Sequence, residues 1–317
     1  MELVAINNKG APDMLDRRKF VLSALTLPSL IGSAKQGISA PGDGMVFAMH
    51  QNTSSAAGFR GSLEGWSRAG VEFVELNAAL LDVFLENDSL SGARILLDDL
   101  GQTPICAAVT LPDLWIPGPA RESSLDSWRK RCAQFSELGV RRIYSPSITF
   151  RTVTSDDFNA TPEAINETAE IAAEYELICM IEFLRNSNHL ATLRSALKMT
   201  RTADHPNVRP MIDFFHFWSG QSKLEDLDLL NSGELEHCHF QDLLDAPQEL
   251  TDNSYRVIPG DGIAPLHSIL SKLRGKDYRG ALSVELFREE LVNGDPYSVA
   301  AEIKEKSERV MGEAGVL

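Results

Sequence analysis

Short apolar runs recur along the chain from residue 45 onward, and each is followed by a polar loop and a longer amphipathic stretch. Apolar positions follow one another within the runs without regular alternation, which is typical of strands buried on both faces of a parallel sheet. The eight runs cover residues 45–50, 71–77, 104–110, 140–146, 176–183, 208–214, 235–242 and 281–287. The pattern therefore predicts an α/β fold with parallel strands.

The amphipathic stretches between the runs predict helices. They cover residues 61–69, 89–100, 125–138, 162–175, 191–202, 223–230, 265–273 and 296–311. Asp88 is a candidate N-cap for the second of these helices. Eight strand–helix units predict a single-domain (β/α)8 TIM barrel. A doubly wound open sheet is the alternative, but residues 50–61 lack the glycine-rich G-x-G-x-x-G turn that usually follows its first strand.

Four consecutive runs, the fifth to the eighth, contain at or near their ends a side chain that binds cations or transfers protons. These side chains are Glu182, Asp213, His239 and Glu285. Because the C-terminal ends of barrel strands share one mouth, we expect the four to converge there. Three carboxylates and an imidazole suit Mn2+, Mg2+ or Co2+, and suit a structural Zn2+ less well. Taken singly, each has a plainer interpretation as a buried ion pair, a helix cap or a core histidine.

The first 40 residues have the pattern of an export signal. Arg17 and Arg18 precede Lys-Phe-Val-Leu, an apolar stretch covers residues 20–31, and small residues follow at 32–34 and 38–40. This order resembles the twin-arginine signal of bacteria. It predicts a signal segment at 1–40, a barrel at 41–317 and an exported or periplasmic protein. A fortuitous amphipathic leader or an anchor helix is the alternative.

The composition and net charge restrict the kinds of binding partner that we expect. The 317 residues include 30 Lys+Arg and 45 Asp+Glu, which give a net charge of -15. Such acidity argues against a nucleic-acid partner, which needs a basic patch. The chain has no run of 18 apolar residues, so we expect no stable membrane span. The four cysteines are dispersed without a C-x-x-C motif, and three of them lie inside predicted strands, where a cysteine is usually a small buried hydrophobe. Homo-oligomerisation is a further possibility.

The motifs at the strand ends resemble a known superfamily over residues 45–311. They are IEF with Glu182, IDFFH with Asp213 and His216, HCHFQD with His239, RVIPGDG with Arg256, and SVELF with Glu285. Together they resemble the sugar isomerase/epimerase superfamily with the xylose-isomerase-like TIM barrel, which includes ketose 3-epimerases, inosose-type dehydratases and 3-dehydroshikimate dehydratases. The resemblance implies a divalent metal held by the Glu–Asp–His–Glu set, with Mn2+ as the first expectation and Mg2+, Co2+ or Zn2+ as alternatives.

The resemblance also implies roles for individual residues. Glu182 and Glu285 would shuttle protons on opposite faces of the substrate, and His216 and Arg256 would contact its oxygens. In the dehydroshikimate dehydratases a glutamine takes the seventh-strand ligand position. Gln241 lies two residues beyond His239 on the same strand face, so both remain candidate ligands.

Two further residues are predicted near the substrate from their positions alone. His50 ends the first run at the barrel rim. Trp115 lies in the long third loop, and long loops are more often functional than short connections. The PGDG turn at 259–262 follows Arg256 and is interpreted as part of an active-site loop.

The leading interpretation is a metal-dependent isomerase or epimerase acting on a small sugar, keto-sugar or cyclic polyol through an enediolate. A lyase that dehydrates an inosose or dehydroshikimate-like acid is the alternative, since the same residues serve both outcomes. An endonuclease of the related abasic-site family conflicts with the acidic charge. A non-catalytic sugar-binding barrel conflicts with the presence of both glutamates, Glu182 and Glu285.

Overall fold

Eight parallel strands form a closed barrel in a computed structural model that describes residues 44–317. The barrel strands are β1 (Val46–His50), β2 (Phe73–Asn77), β3 (Thr103–Ala108), β4 (Arg142–Pro146), β5 (Ile178–Glu182), β6 (Val208–Asp213), β7 (His237–His239) and β10 (Ala281–Val284). Their order around the barrel is β1-β10-β7-β6-β5-β4-β3-β2. The predicted (β/α)8 barrel is therefore confirmed, and the open sheet is excluded.

Helices cover the outside of the barrel between the strands. They are α1 (Gly58–Arg68), α2 (Ala78–Leu85), α3 (Leu90–Asp99), α4 (Pro119–Glu137), α5 (Ser155–Glu174), α6 (Leu193–Ala203), α7 (Phe214–Trp218), α8 (Leu266–Gly275), α9 (Glu289–Val292) and α10 (Pro296–Glu313). Four 3-10 helices lie at Gln51–Ala57, Leu224–Leu229, Gln248–Leu250 and Asn253–Tyr255.

Several helices differ from the prediction in their type, their cap or their first residue. The helix predicted at 223–230 is a short 3-10 helix rather than an α-helix. The cap of α3 is Ser89, whose side chain accepts from the amide of Gly92, so the assignment of Asp88 is wrong. Helix α5 begins seven residues before Pro162, because Thr154 starts it with a capping box. Proline is common in a first turn, and this made Pro162 look like the start.

A two-stranded antiparallel hairpin lies in the long connection after β7, where the sequence predicted only a loop. Its strands are β8 (Asp242–Leu243) and β9 (Arg256–Val257). Asp242 pairs with Val257, and Leu243 pairs with Arg256. The hairpin thus fixes the backbone of Arg256 beside the barrel mouth.

The strand register brings the chemically active ends to one level. Asp213 on β6 pairs with His239 on β7, and Ser283 on β10 pairs with the same histidine. Glu182 ends β5 and pairs with Met211. Because the strands are parallel, these ends open at the same mouth.

Other expectations from the sequence have mixed outcomes. The three cysteines in strands are buried as predicted, and Cys132 is buried as well; all four are free thiols. Within residues 44–317, no helix has the length and hydropathy needed to cross a membrane. The predicted signal segment at 1–40 lies outside the described residues.

Candidate metal centre and active site

Four side chains converge at the carboxyl ends of neighbouring strands. Nδ1 of His239 lies 3.2 Å from Glu182 Oε1, 3.2 Å from Asp213 Oδ2 and 3.3 Å from Glu285 Oε2. One ligand atom from each of the four residues lies within 4.8 Å of the others. All four residues are buried. The structure therefore brings together the four residues that the sequence selected as metal ligands.

Asp213 has two functions at once, because its two carboxylate oxygens face different groups. Oδ1 accepts a hydrogen bond of 2.7 Å from the amide of His216 and caps helix α7. Oδ2 faces Nδ1 of His239. The cap interpretation and the ligand interpretation are thus compatible, and the cap fixes the orientation of the second oxygen.

Burial and neighbouring charges shift the pKa values of the carboxyl groups in the cluster in different directions. Burial raises the pKa of Glu182 to about 7. Burial also opposes the charge of Glu285, but His239, His50 and Arg256 hold its pKa at about 2. Burial alone would raise the pKa of Asp213, but nearby positive charge, chiefly that of Arg256, holds this pKa well below its usual value. Burial disfavours the charged form of His239, yet Glu75 and then Glu285 raise its pKa well above the ordinary value.

Arg256 places a buried positive charge against the cluster. Its Nη1 donates to Asp213 Oδ2 at 2.5 Å and to Glu285 Oε2 at 2.9 Å. Its guanidinium lies 4.5 Å from the ring centroid of Phe215 and 5.1 Å from that of Phe287. Two aromatic faces therefore restrict the guanidinium plane, and the carboxylates fix its position along that plane.

His216 contacts Arg256. Arg256 Nη2 lies 3.1 Å from His216 Nε2, and because a guanidinium only donates, that nitrogen accepts. Burial lowers the pKa of His216 to about 4, so the imidazole is neutral at pH 7 with its proton on Nδ1. His216 also lines the cavity described below, and its expected substrate contact stays a prediction.

The PGDG turn at 259–262 is hydrogen-bonded to the hairpin that carries Arg256. Asp242 accepts from the amides of Gly260, Gly262 and Ala264 at 3.1, 3.0 and 2.8 Å. A Cβ on Gly262 would lie 2.3 Å from the carbonyl oxygen of Leu243, so only glycine fits there. The turn lies outside the cavity wall and holds the hairpin that carries Arg256.

A cavity of about 410 Å³ opens beside the cluster. Glu182, Glu285 and Arg256 border it. Amide side chains supply much of its polar wall, and they are Asn52, Asn77, Asn186 and Asn253. Its aromatic wall consists of Phe150, Phe215, Phe287 and Tyr144. Amides both donate and accept, so this lining suits a small molecule rich in hydroxyl groups.

Two residues expected in the cavity wall lie elsewhere. Trp115 is 1% exposed, donates from Nε1 to the carbonyl of Ser145 at 3.0 Å and packs edge-on against Trp128. The structure therefore gives Trp115 a core position, and the expectation that it lines the mouth is not supported. His50 is fully buried behind the cluster, with Nε2 3.7 Å from Glu285 Oε1 and 3.3 Å from the hydroxyl of Tyr144.

His239, rather than Gln241, faces the three carboxylates. The amide of Gln241 is buried and has no hydrogen-bond partner in the described part of the chain. The imidazole of His239, by contrast, lies within 3.3 Å of each carboxylate. Of the two candidates, the geometry favours the histidine.

Sequence reasoning missed a set of residues that hold the cluster in place. Asn52 Nδ2 donates to Glu285 Oε1 at 2.9 Å, and Asn77 Nδ2 donates to Asn52 Oδ1 at 2.8 Å. Glu75, fully buried on β2, contacts His50, His237 and His239. The available signal for Glu75 was a carboxylate between two apolar neighbours, Val74 and Leu76, in the middle of a strand, since an uncompensated buried charge is unfavourable.

The donor set fits a divalent cation. Carboxylates bind hard cations, and three of them converge with one imidazole nitrogen at a buried point. Crowded carboxylates repel one another, and a cation relieves this repulsion. Glu182, Asp213, His239 and Glu285 are therefore the residues that can hold a metal.

Comparison with known proteins assigns the family. Residues 65–309 match the family model for the xylose isomerase-like TIM barrel. The chain belongs to this family.

Curated relatives include inosose isomerases and a dehydratase. The inosose isomerase of Bacillus licheniformis is 31% identical over 156 residues, which cover 48% of this chain and 56% of that protein. The 3-dehydroshikimate dehydratase of Pseudomonas putida is 27% identical over 243 residues, which cover 72% of this chain and 36% of that protein. The chain thus spans about half the length of the first of these relatives and about a third of the second.

A solved structure shares the fold over almost its whole length. It is the crystal structure of the IOLI protein with a binding zinc atom, and its TM-score is 0.80 at 20% sequence identity. The match covers 85% of this chain and 99% of that one. At this identity the likeness is one of fold.

Proposed function

We propose that this protein is a divalent-metal-dependent isomerase or epimerase that acts on a small keto-sugar, sugar or cyclic polyol. The observation that carries the proposal is the position of Glu182 and Glu285. Both carboxylates belong to the four-residue cluster, and both also border the cavity. Proton transfer next to a carbonyl needs such carboxylates within reach of the substrate carbon.

Glu182, Asp213, His239 and Glu285 would hold the metal, and Mn2+ is our first candidate because the set is rich in carboxylates. Bound there, a divalent cation supplies Lewis-acid polarisation of a substrate carbonyl and makes the neighbouring C–H more acidic. Mg2+, Co2+ and Zn2+ are the other candidates.

Side chains of the protein would transfer the protons and stabilise the negative charge that develops on the substrate. Glu182 ends β5 and Glu285 directly follows β10, and β6 and β7 separate these two strands, so the carboxylates approach the cavity from different directions. One removes the substrate proton and the other returns a proton. Arg256, held between Phe215 and Phe287, offers its positive charge to the oxygen that becomes anionic.

The cavity lining supports a polyhydroxylated ring compound as the substrate. The amides of Asn52, Asn77, Asn186 and Asn253 match hydroxyl groups, which also donate and accept. The aromatic rings favour the apolar face of a sugar or cyclitol ring. The inosose isomerase relative supports a cyclic polyol ketone as the first substrate to test.

A lyase that eliminates a β-hydroxyl group is the second candidate. The dehydratase relative aligns with 72% of this chain, which is a longer stretch than the isomerase match. The same proton abstraction begins both reactions, and they diverge only in whether a proton returns or a hydroxyl leaves.

The two functions separate in one experiment. The purified protein with Mn2+ is incubated in D2O with inososes, keto-sugars and dehydroshikimate, and the products are followed by NMR, mass and ultraviolet absorbance. An isomerase or epimerase gives a product with the same carbon and oxygen content as the substrate, in which deuterium replaces hydrogen at the reacting carbon. A lyase removes one water from the substrate and leaves a more extended conjugated system, an enone from an inosose or an aromatic ring from dehydroshikimate, which absorbs in the ultraviolet. Unchanged substrates in every reaction, with or without metal, would contradict both candidates.

We also propose that the protein is exported with residues 1–40 as its signal. The support is the Arg17–Arg18 pair before an apolar stretch and small residues. Export would place the enzyme where free, unphosphorylated sugars are its available substrates.

A further inference from the structure

We propose that Glu75 is a positioning residue, which fixes His239 so that its Nδ1 lone pair faces the metal. The inference rests on the proposed metal centre and extends it to a residue outside the four ligands. Glu75 is 0% exposed and stands on β2, which β1 and β10 separate from β7, so its carboxylate reaches His239 across the barrel interior.

The two ring nitrogens of His239 face two different carboxylate environments. Nδ1 lies within 3.3 Å of Glu182, Asp213 and Glu285. Nε2 lies 3.1 Å from Glu75 Oε1. One nitrogen thus points to the metal position, and the other points to a carboxylate that is not part of it.

This division matters because a histidine binds metal only through a nitrogen that carries no proton. With Nδ1 as the ligand, the ring proton must sit on Nε2, and a buried N–H needs an acceptor. Glu75 Oε1 is that acceptor. A carboxylate behind a metal-binding histidine fixes both the tautomer and the ring orientation, and it makes the ligand nitrogen more basic.

Two further histidines hold the carboxylate itself. His237 Nε2 lies 2.8 Å from Glu75 Oε2. His237 and His239 are two positions apart on β7 and share its inner face, so one carboxylate joins both imidazoles. The position of Glu75 is therefore coupled to the same strand that carries the ligand.

His50 approaches Glu75 from the other side with a defined tautomer. The amide of Asn52 donates to His50 Nδ1 at 2.9 Å, so that nitrogen carries no proton. In the neutral ring the proton is therefore on Nε2, which lies 3.5 Å from Glu75 Oε1. His50, predicted from the sequence as a substrate contact, belongs to this supporting network.

The surroundings make a purely structural role a poor explanation. Barrel interiors are normally filled by branched apolar side chains. The barrel interior of this protein has a buried apolar cluster, which includes Val46, Ala48, Met180 and Met211. A fully buried carboxylate is unfavourable in such a layer without compensation, and apolar replacements for buried ion pairs are often as stable.

The test measures binding of the metal alone. Metal-stripped wild-type protein and Glu75→Gln, which keeps the size but removes the charge, are titrated with Mn2+ by calorimetry. Co2+ is added in parallel, and its visible absorption reports the ligand geometry. We expect Glu75→Gln to bind Mn2+ about 10- to 100-fold more weakly and to alter the Co2+ spectrum.

Cys106→Ala is the matched control. Cys106 pairs in register with Glu75 on the neighbouring strand and is fully buried. We expect it to bind Mn2+ with wild-type affinity, which separates the loss of the carboxylate from a general disturbance of the interior. Thermal unfolding of the metal-free proteins verifies that each variant is folded. Glu75→Asp, which withdraws the acceptor but keeps the charge, replaces Glu75→Gln if that variant does not fold.

A folded variant of Glu75 with wild-type Mn2+ affinity and an unchanged Co2+ spectrum would overturn this inference alone. Variants of Asp213 or His239 that bind Mn2+ with wild-type affinity would overturn the proposed metal centre instead. The two failures are therefore distinguishable.

Discussion

Replacing Glu182 by Gln should stabilise the metal-free protein at alkaline pH and not at acidic pH. Burial raises the pKa of this carboxyl from 4.5 to about 7. A group with a raised acid pKa binds its proton more tightly in the folded state, so stability falls as pH rises from the unfolded pKa to the folded pKa. Above pH 7 the native protein keeps a buried charge that glutamine does not have.

The magnitude follows from the two pKa values, 4.5 and about 7. Each tenfold change in proton affinity corresponds to about 1.4 kcal/mol, so the full difference is roughly 3 kcal/mol. Between pH 5 and pH 8 the change is roughly 2 to 3 kcal/mol, since the unfolded carboxyl is already partly ionised at pH 5. The stability of Glu182→Gln relative to wild type should improve by this amount across the interval.

The assay is urea unfolding of chelator-treated wild type and variant at pH 5 and pH 8. Comparing the difference between the two proteins at each pH cancels any effect of the substitution on packing. Glu163→Gln, at an exposed carboxylate of α5, is the control and should show no pH-dependent difference. A relative stability that is the same at both pH values, or that changes in the opposite direction, would refute the reasoning.

Three further outcomes are expected. Glu285→Gln should keep the fold and abolish turnover, as measured by circular dichroism and product NMR. Asn52→Ala should lower kcat/KM about 10- to 100-fold, because a hydrogen bond to a charged group contributes about 1.5 to 3 kcal/mol, and its 2.9 Å bond holds Glu285. Changing both Arg17 and Arg18 to Lys should retain the protein in the cytoplasm, as measured by cell fractionation of the bacterial host.

Each of these outcomes has a clear opposite. Full activity of Glu285→Gln would remove that carboxylate from catalysis. An Asn52→Ala variant with wild-type kcat/KM would show that Glu285 is positioned without it. Unchanged export of the double lysine variant would contradict the twin-arginine interpretation of residues 1–40.

The barrel and its four-residue cluster were predictable because both leave periodic marks in the sequence. Buried parallel strands appear as apolar runs, and parallel strands open their carboxyl ends at one mouth. Glu182, Asp213, His239 and Glu285 stand at or near the ends of consecutive runs, so their convergence follows from topology.

The supporting residues were harder to predict because their roles depend on side-chain direction across the barrel. Glu75 lies within a run rather than at its end, and only the three-dimensional structure shows that it meets three imidazoles. The prediction that Trp115 lines the cavity was wrong because it rested on the length of its loop. Its loop is long, but the indole turns inward and packs on Trp128. Loop length indicates that a segment has a role without indicating which side chain faces the cavity.

Anomalous diffraction from crystals soaked in Mn2+ is the most direct test of the central claim, that four strand ends hold one cation. We expect a single strong manganese peak at about 2.0 to 2.4 Å from ligand atoms of Glu182, Asp213, His239 and Glu285. The His239 ligand should be Nδ1, with Nε2 facing Glu75. A peak elsewhere, or none between these four residues at saturating Mn2+, would contradict the account.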